Sequence, residues 1–111
     1  MKQDILDNTE KVVITGMGVI APNGNGLDAY EQALRNGVSG IKHHPHLADS
    51  KFACQVGGIP QGIDEIKHDY LTDESLLAMN DAMVFGAIAA IECWRDAGLP
   101  APGDSTDWDT A

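Results

Sequence analysis

Between about Asp73 and Ala97 the sequence carries one long helical signal whose apolar residues do not keep to a single face. Thr72 stands in front as an N-cap, Asp73 and Glu74 favour the positive end of the helix dipole, and Gly98 followed by Pro100 closes the run. The spacing predicts one helix of about six or seven turns. Leu76, Met79, Met83, Ile91 and Trp94 lie near one stripe, while Val84, Phe85, Ile88 and Ala89 spread apolar surface around the middle. A helix apolar on several sides needs covering on several sides. The rest of the chain offers two short strands and one short helix, which is too little. The expectation is an incomplete fold whose long helix lacks some of its partners.

The earlier elements point to an α/β class. Lys11-Val12-Val13-Ile14-Thr15-Gly16 is a β-branched run whose continuous apolarity predicts a central strand covered on both faces. Gly16, Gly18 and Pro22-Asn23-Gly24-Asn25-Gly26 break either periodicity and read as a loop. Leu27, Tyr30 and Leu34 then fall at helical spacing from about Asn25 to Asn36, with one face inward, Arg35 in the last turn and Gly37 as the left-handed stop. From Val38 to Ser50 no periodicity is sustained, and Pro45 among three histidines predicts a surface connection. Phe52, Cys54 and Val56 alternate as a short strand ended by Gly57-Gly58 and Pro60. The resulting organisation is a polar tail over 1–10, a folded part over 11–100, and a loop or frayed end over 101–111.

Charge and composition narrow the function classes. Seventeen Asp and Glu against seven Lys and Arg give a net charge of -10, which repels nucleic acid and anionic lipid. No apolar run approaches the roughly 20 residues of a membrane span, and Met1 to Glu10 has no apolar core for a signal peptide. A cytoplasmic protein is expected, without nucleic-acid or membrane partners. Cys54 and Cys93 lack C-x-x-C spacing, so neither a zinc framework nor a disulfide scaffold is indicated. A nucleophilic cysteine needs a base or a helix N-terminus, and Cys93 falls late in the long helix beside Trp94.

Three local patterns resemble sites and fail on context. Gly16-Met17-Gly18-Val19-Ile20-Ala21 matches the dinucleotide fingerprint in form. That fingerprint needs a helix to open within it, which Pro22 and the Asn-Gly pairs prevent, and an acidic residue about 20 positions on in a second strand. A tight bend at a strand end is the expected role of those glycines. His43, His44 and His46, with Asp49 or His68, supply zinc-type ligand chemistry, but an H-H-P-H loop has no rigid support of its own. Asp64 and Glu65, Asp73 and Glu74, and Asp104, Asp107 and Asp109 are scattered rather than paired for acid/base work. No catalytic, cofactor-binding or metal residue is assigned, and no cofactor is expected.

The words of the sequence are more specific than its periodicities. Val12-Val13-Ile14-Thr15-Gly16-Met17-Gly18-Val19-Ile20-Ala21-Pro22-Asn23-Gly24 resembles the first strand and loop of the β-ketoacyl-acyl-carrier-protein synthases, with Ala21 where Ser or Thr is usual. Leu34-Arg35-Asn36-Gly37-Val38-Ser39-Gly40-Ile41 resembles that family's L-x-x-G-x-S-G-I segment. Phe52 through Gly57 is similar to its next strand, and Ala89 through Leu99 to its helix end reading A-x-x-D-A-G-L. The four anchors come in the family's order. Met79-Asn80-Asp81-Ala82-Met83 departs from the commoner Arg and Asp pattern.

The resemblance implies the N-terminal part of a thiolase-like αβαβα fold, with about the first quarter of an intact synthase represented. It implies decarboxylative Claisen condensation of an acyl thioester with malonyl-acyl-carrier protein, in fatty acid or polyketide biosynthesis, by a homodimer or a ketosynthase heterodimer. That chemistry takes a thiolate nucleophile and enolate-stabilising His or Asn side chains. The family's nucleophile lies downstream of the D-A-G-L helix, so neither Cys54 nor Cys93 matches it, and the clustered histidines do not match its catalytic ones. This chain alone is therefore expected to be inactive. The alternative implied is part of a non-catalytic partner subunit resembling a chain-length factor.

Overall fold

The structure, a computed structural model, describes residues 12–101; the expected polar tail over 1–10 and nearly all of the expected loop over 101–111 lie outside those residues. Within them the chain is a mixed α/β arrangement. An extended segment leads into a small hairpin, β1 (Ile20–Ala21) and β2 (Gly24–Asn25), and then helix α1 (Leu27–Arg35). Strand β3 (Ile41–His43), helix α2 (Pro45–Asp49) and strand β4 (Val56–Gly58) follow. Helix α3 (Ile63–Ile66), a 3₁₀ turn (Lys67–Asp69), helix α4 (Asp73–Leu77) and helix α5 (Asp81–Asp96) complete it. Both sheets are two-stranded and antiparallel, with Ala21 opposite Gly24 and His43 opposite Val56. No described helix is long and apolar enough to cross a membrane.

The core forms on one side of α5. Val84 and Ile88 are buried there with Ile63 of α3, and Ile20, Ile66, Tyr70, Leu71, Leu76, Met79 and Phe85 pack around them. Ile88 is fully enclosed, which at about 2 kcal/mol per buried aliphatic side chain makes it the centre of the stabilisation. The other flanks of α5 stay open, and Met83 keeps 56% of its surface exposed. The long helix does lack partners on these sides.

Several expectations hold. Thr72 caps α4, its hydroxyl accepting the Ser75 amide at 3.2 Å. Gly98, at φ 70, stops the chain just past α5. At the end of α1, Val38 N–H donates to Ala33 C=O at 2.8 Å and Gly37 N–H to Leu34 C=O at 3.2 Å, with Gly37 at φ 63. This is the paired closure that a left-handed residue permits.

Others need correction. The helix expected over Asp73–Ala97 is two helices, because Asn80 adopts an extended conformation (φ -87, ψ 171) and its side chain accepts the Met83 amide at 3.0 Å. An Asn that satisfies the next helix's first donors ends the one before it. The strand expected over Lys11–Gly16, covered on both faces, is not formed among the described residues: 12–19 carry no strand, and Val12, Val13 and Ile14 are 98%, 69% and 85% exposed. β-branched residues favour extended backbone, but a strand exists only by pairing. Part of the loop expected over 16–26 closes as the β1–β2 hairpin.

The connection expected over Val38–Ser50 contains β3 and α2, the latter begun by Pro45 at its first turn behind extended His44. The second strand starts at Val56 rather than Phe52 and runs through Gly57 and Gly58 instead of stopping before them. A Cβ on Gly58 would lie 2.7 Å from Pro22 Cγ, so glycine lets this hairpin close onto the Pro22 turn. Leu34, expected inward, is 58% exposed. Residues 61–72, for which periodicity offers no element, supply α3 and the 3₁₀ turn.

Candidate functional site

Gly16 and Gly18 owe their identity to close approach rather than to a bend, since neither has positive φ. A Cβ on Gly16 would sit 2.6 Å from the Ala97 amide nitrogen, and one on Gly18 2.7 Å from that of Cys93. The extended segment therefore lies directly on the backbone of α5. Two hydrogen bonds pin it: Cys93 Sγ donates to Gly16 O at 3.3 Å, and Met17 N–H donates to Asp96 Oδ2 at 2.9 Å. The glycines of the dinucleotide-like motif face a helix already in place, and the motif continues into β1 rather than into a helix N-terminus.

Beside the pinned segment runs an apolar groove of about 900 Å³ between α1 and α5. Met17, Val19, Leu27, Tyr30, Leu34 and Cys93 line it, and Asp28 and Glu31 stand at its rim. Leu34 is exposed because it borders this opening. Its walls suit apolar packing and hold no acid/base pair.

A smaller cavity of about 190 Å³ lies among Ile20, Asn25, Gly26, Ile66, Tyr70, Ile88 and Glu92. Tyr70 hydroxyl donates to Glu92 Oε1, and Arg95 places its guanidinium 5.0 Å from the centre of the Tyr70 ring. Donation to the Glu92 carboxylate, aided by partial burial, pushes the Tyr70 hydroxyl pKa above its ordinary 10.0. The phenol stays a donor and clamps the 3₁₀ region to α5. Asn25 Nδ2 donates to Gln61 O at 2.5 Å, while its buried Oδ1 has no partner among the described residues. Sequence periodicity does not point to this cluster, because its members sit on three elements; only the Asn-Gly turn hints at a fixed Asn.

The residues weighed as metal ligands are not brought together. His43 Nε2 meets Gln55 Oε1 at 3.2 Å and His44 Nε2 meets Gly57 O at 3.0 Å, so both rings tie β3 to the β4 side. His44 and His46 are 5.5 Å apart between ring centres, and His68 pairs instead with Asp73 at 3.0 Å. Among the described residues no group of three or more His, Cys, Asp or Glu side chains is assembled to hold a metal ion. Cys54 is exposed and Cys93 half-buried, both free thiols.

Comparison with known proteins gives these elements a context. Residues 9–108 match the family described as "Beta-ketoacyl synthase, N-terminal domain". The 3-oxoacyl-acyl-carrier-protein synthase 2 of Vibrio cholerae is 32% identical over 89 residues, which is 80% of this chain and 21% of that protein. The chloroplastic 3-oxoacyl-acyl-carrier-protein synthase I of Arabidopsis thaliana is 31% identical over 93 residues, 84% of this chain and 19% of that protein. The tetracenomycin polyketide synthase ketoacyl synthase beta subunit of Streptomyces glaucescens is 37% identical over 90 residues, 79% of this chain and 21% of that protein. The chain thus spans about a fifth of the length of the curated relatives it matches. A match that takes in the extended segment, both strand pairs and all the described helices means that this chain belongs to the β-ketoacyl synthase family, matching part of its N-terminal domain.

Proposed function

We propose that this chain is the N-terminal portion of a 3-oxoacyl-acyl-carrier-protein synthase and that its contribution to the enzyme is scaffold rather than chemistry. The observation that carries this is the segment Val12–Ile14, whose apolar side chains are open to solvent beside Gly16, Met17 and Gly18 held on α5. Such a segment is a strand position waiting for neighbours. In the completed thiolase-like αβαβα fold it becomes a central strand, with α5 as the covering layer on one side. On this reading the folded portion is 11–100, with a polar tail over 1–10 and a loop or frayed end over 101–111.

The intact protein, on this reading, joins an acyl group from a thioester to the two-carbon unit left when malonyl-acyl-carrier protein loses carbon dioxide. No residue of this chain takes the nucleophile or enolate-stabilising roles: Cys93 Sγ is bonded to the Gly16 carbonyl, and Cys54 lies exposed in a loop. Carrier-protein docking belongs to more basic surface outside this segment, whose net charge is -10. The assembly on this reading is a homodimer or a ketosynthase heterodimer. Assay of residues 1–111 with acyl and malonyl carrier protein tests the reading, and turnover by this chain alone would refute it.

The 37% identity to a polyketide synthase beta subunit favours a second reading, a non-catalytic partner subunit that shapes a pocket shared with a condensing one. Sequence beyond Ala111 separates the two. A nucleophilic cysteine with downstream histidines marks the enzyme, and their absence marks the partner.

A further inference from the structure

Asn-Gly occurs three times, at Asn23-Gly24, Asn25-Gly26 and Asn36-Gly37. In such a pair no Cβ shields the glycine nitrogen, which can attack the side-chain carbonyl carbon of the Asn before it. The new N–C bond closes a succinimide ring, the bond to the side-chain nitrogen breaks, and ammonia leaves carrying the amide proton. Water then opens the ring at either carbonyl, leaving Asp or isoaspartate. Water is the only co-reactant.

The three pairs differ in how firmly the fold holds them. Asn25 is fixed on both sides of the reacting bond: Nδ2 donates to Gln61 O at 2.5 Å, Oδ1 is buried, and Gly26 N–H donates to Val19 O at 2.9 Å. Asn23 donates to Val38 O at 3.3 Å, and Gly24 is packed against α1, where a Cβ would lie 2.7 Å from Tyr30 N. Asn36 lacks the side-chain anchor of the other two, and only the backbone of its helix-closing turn is tied. It is exposed at the end of α1, its side-chain amide has no hydrogen-bond partner among the described residues, and a Cβ on Gly37 would meet nothing within 4 Å. Gly37 N–H makes only a 3.2 Å bond to Leu34 O.

We propose that Asn36 is a site of spontaneous deamidation, selected by the fold over two pairs of the same local sequence. The product places a carboxylate at the negative end of the α1 dipole, and as isoaspartate it inserts a backbone carbon where the helix closes on Gly37. Since α1 is one wall of the apolar groove, the modification loosens that wall from its C-terminal end.

The test incubates the full 111-residue chain at mildly alkaline pH, in native buffer and in denaturant, with peptide mapping by mass spectrometry. In denaturant the three pairs should convert alike. In native buffer Asn36 should stay within about threefold of its denatured rate while Asn23 and Asn25 fall at least roughly tenfold, because their anchored side chains wait on opening of the hairpin whereas Asn36 needs only the end of α1 to fray. Asn36→Gln should remove the native-buffer product. Equal native rates at all three pairs, protection of Asn36, or a product that survives Asn36→Gln would each overturn the proposal.

Discussion

Cys93 Sγ lies 3.3 Å from the carbonyl oxygen of Gly16, a residue 77 positions earlier, and joins the start of the described chain to its last helix. The contact is possible because two glycines let one backbone rest on another. Gly18→Ala should therefore destabilise the chain by about 1–3 kcal/mol, since the added methyl meets helix backbone that cannot turn aside. Gly86→Ala, on the open side of α5 where a Cβ meets nothing within 4 Å, should stabilise it by about 0.5–1 kcal/mol. Urea unfolding followed by circular dichroism reads both, and equal effects would refute the close-approach account.

Asn80→Ala should cost about 1 kcal/mol by freeing the Met83 amide that Asn80 caps. Asn80→Asp should retain the cap and most of the stability. The same unfolding measurement separates the two.

Tyr70→Phe removes the donor to Glu92 and should cost about 1 kcal/mol near neutral pH, discounted because the pair is only part-buried. The folded state holds the phenol proton more tightly than the unfolded chain does, so this stability is complete below the ordinary value of 10.0. It is lost as pH rises through the folded value. Wild-type stability should fall above pH 10.0 with a component that Tyr70→Phe lacks, and superimposable alkaline profiles would count against the clamp.

Val12→Ser should change the stability of residues 1–111 by no more than about 0.5 kcal/mol, because Val12 is 98% exposed. In a longer chain that forms the complete sheet, the same substitution should cost several times as much, since it would then put a hydroxyl into a buried strand. Equal small effects in both chains would undermine the assignment of this segment as a central strand.

What could be read from sequence was whatever one residue decides locally. Gly37 and Gly98 stop helices, and Thr72 starts one, because their backbone or hydroxyl chemistry acts within a turn. Asn80 carries the same kind of signal, and in the fold it outweighs the long apolar periodicity that points to one unbroken helix. The Val12–Ile14 run has the composition of a buried strand without the neighbours that would bury it, and composition cannot supply neighbours. The family was legible because four word-like segments occur in order. The Asn25, Tyr70 and Glu92 cluster was not, because three distant positions meet only after the hairpin folds onto α5.

A polypeptide is made from its N-terminus, so the Val12–Ile14 segment leaves the ribosome before any later sequence that is to shield it. Next to the Gly16–Gly18 stretch that lies on α5, it presents amides and apolar side chains to whatever passes, another nascent copy included. An exposed extended stretch of this kind sets a deadline: the longer it stays uncovered, the greater its chance of pairing with the wrong neighbour.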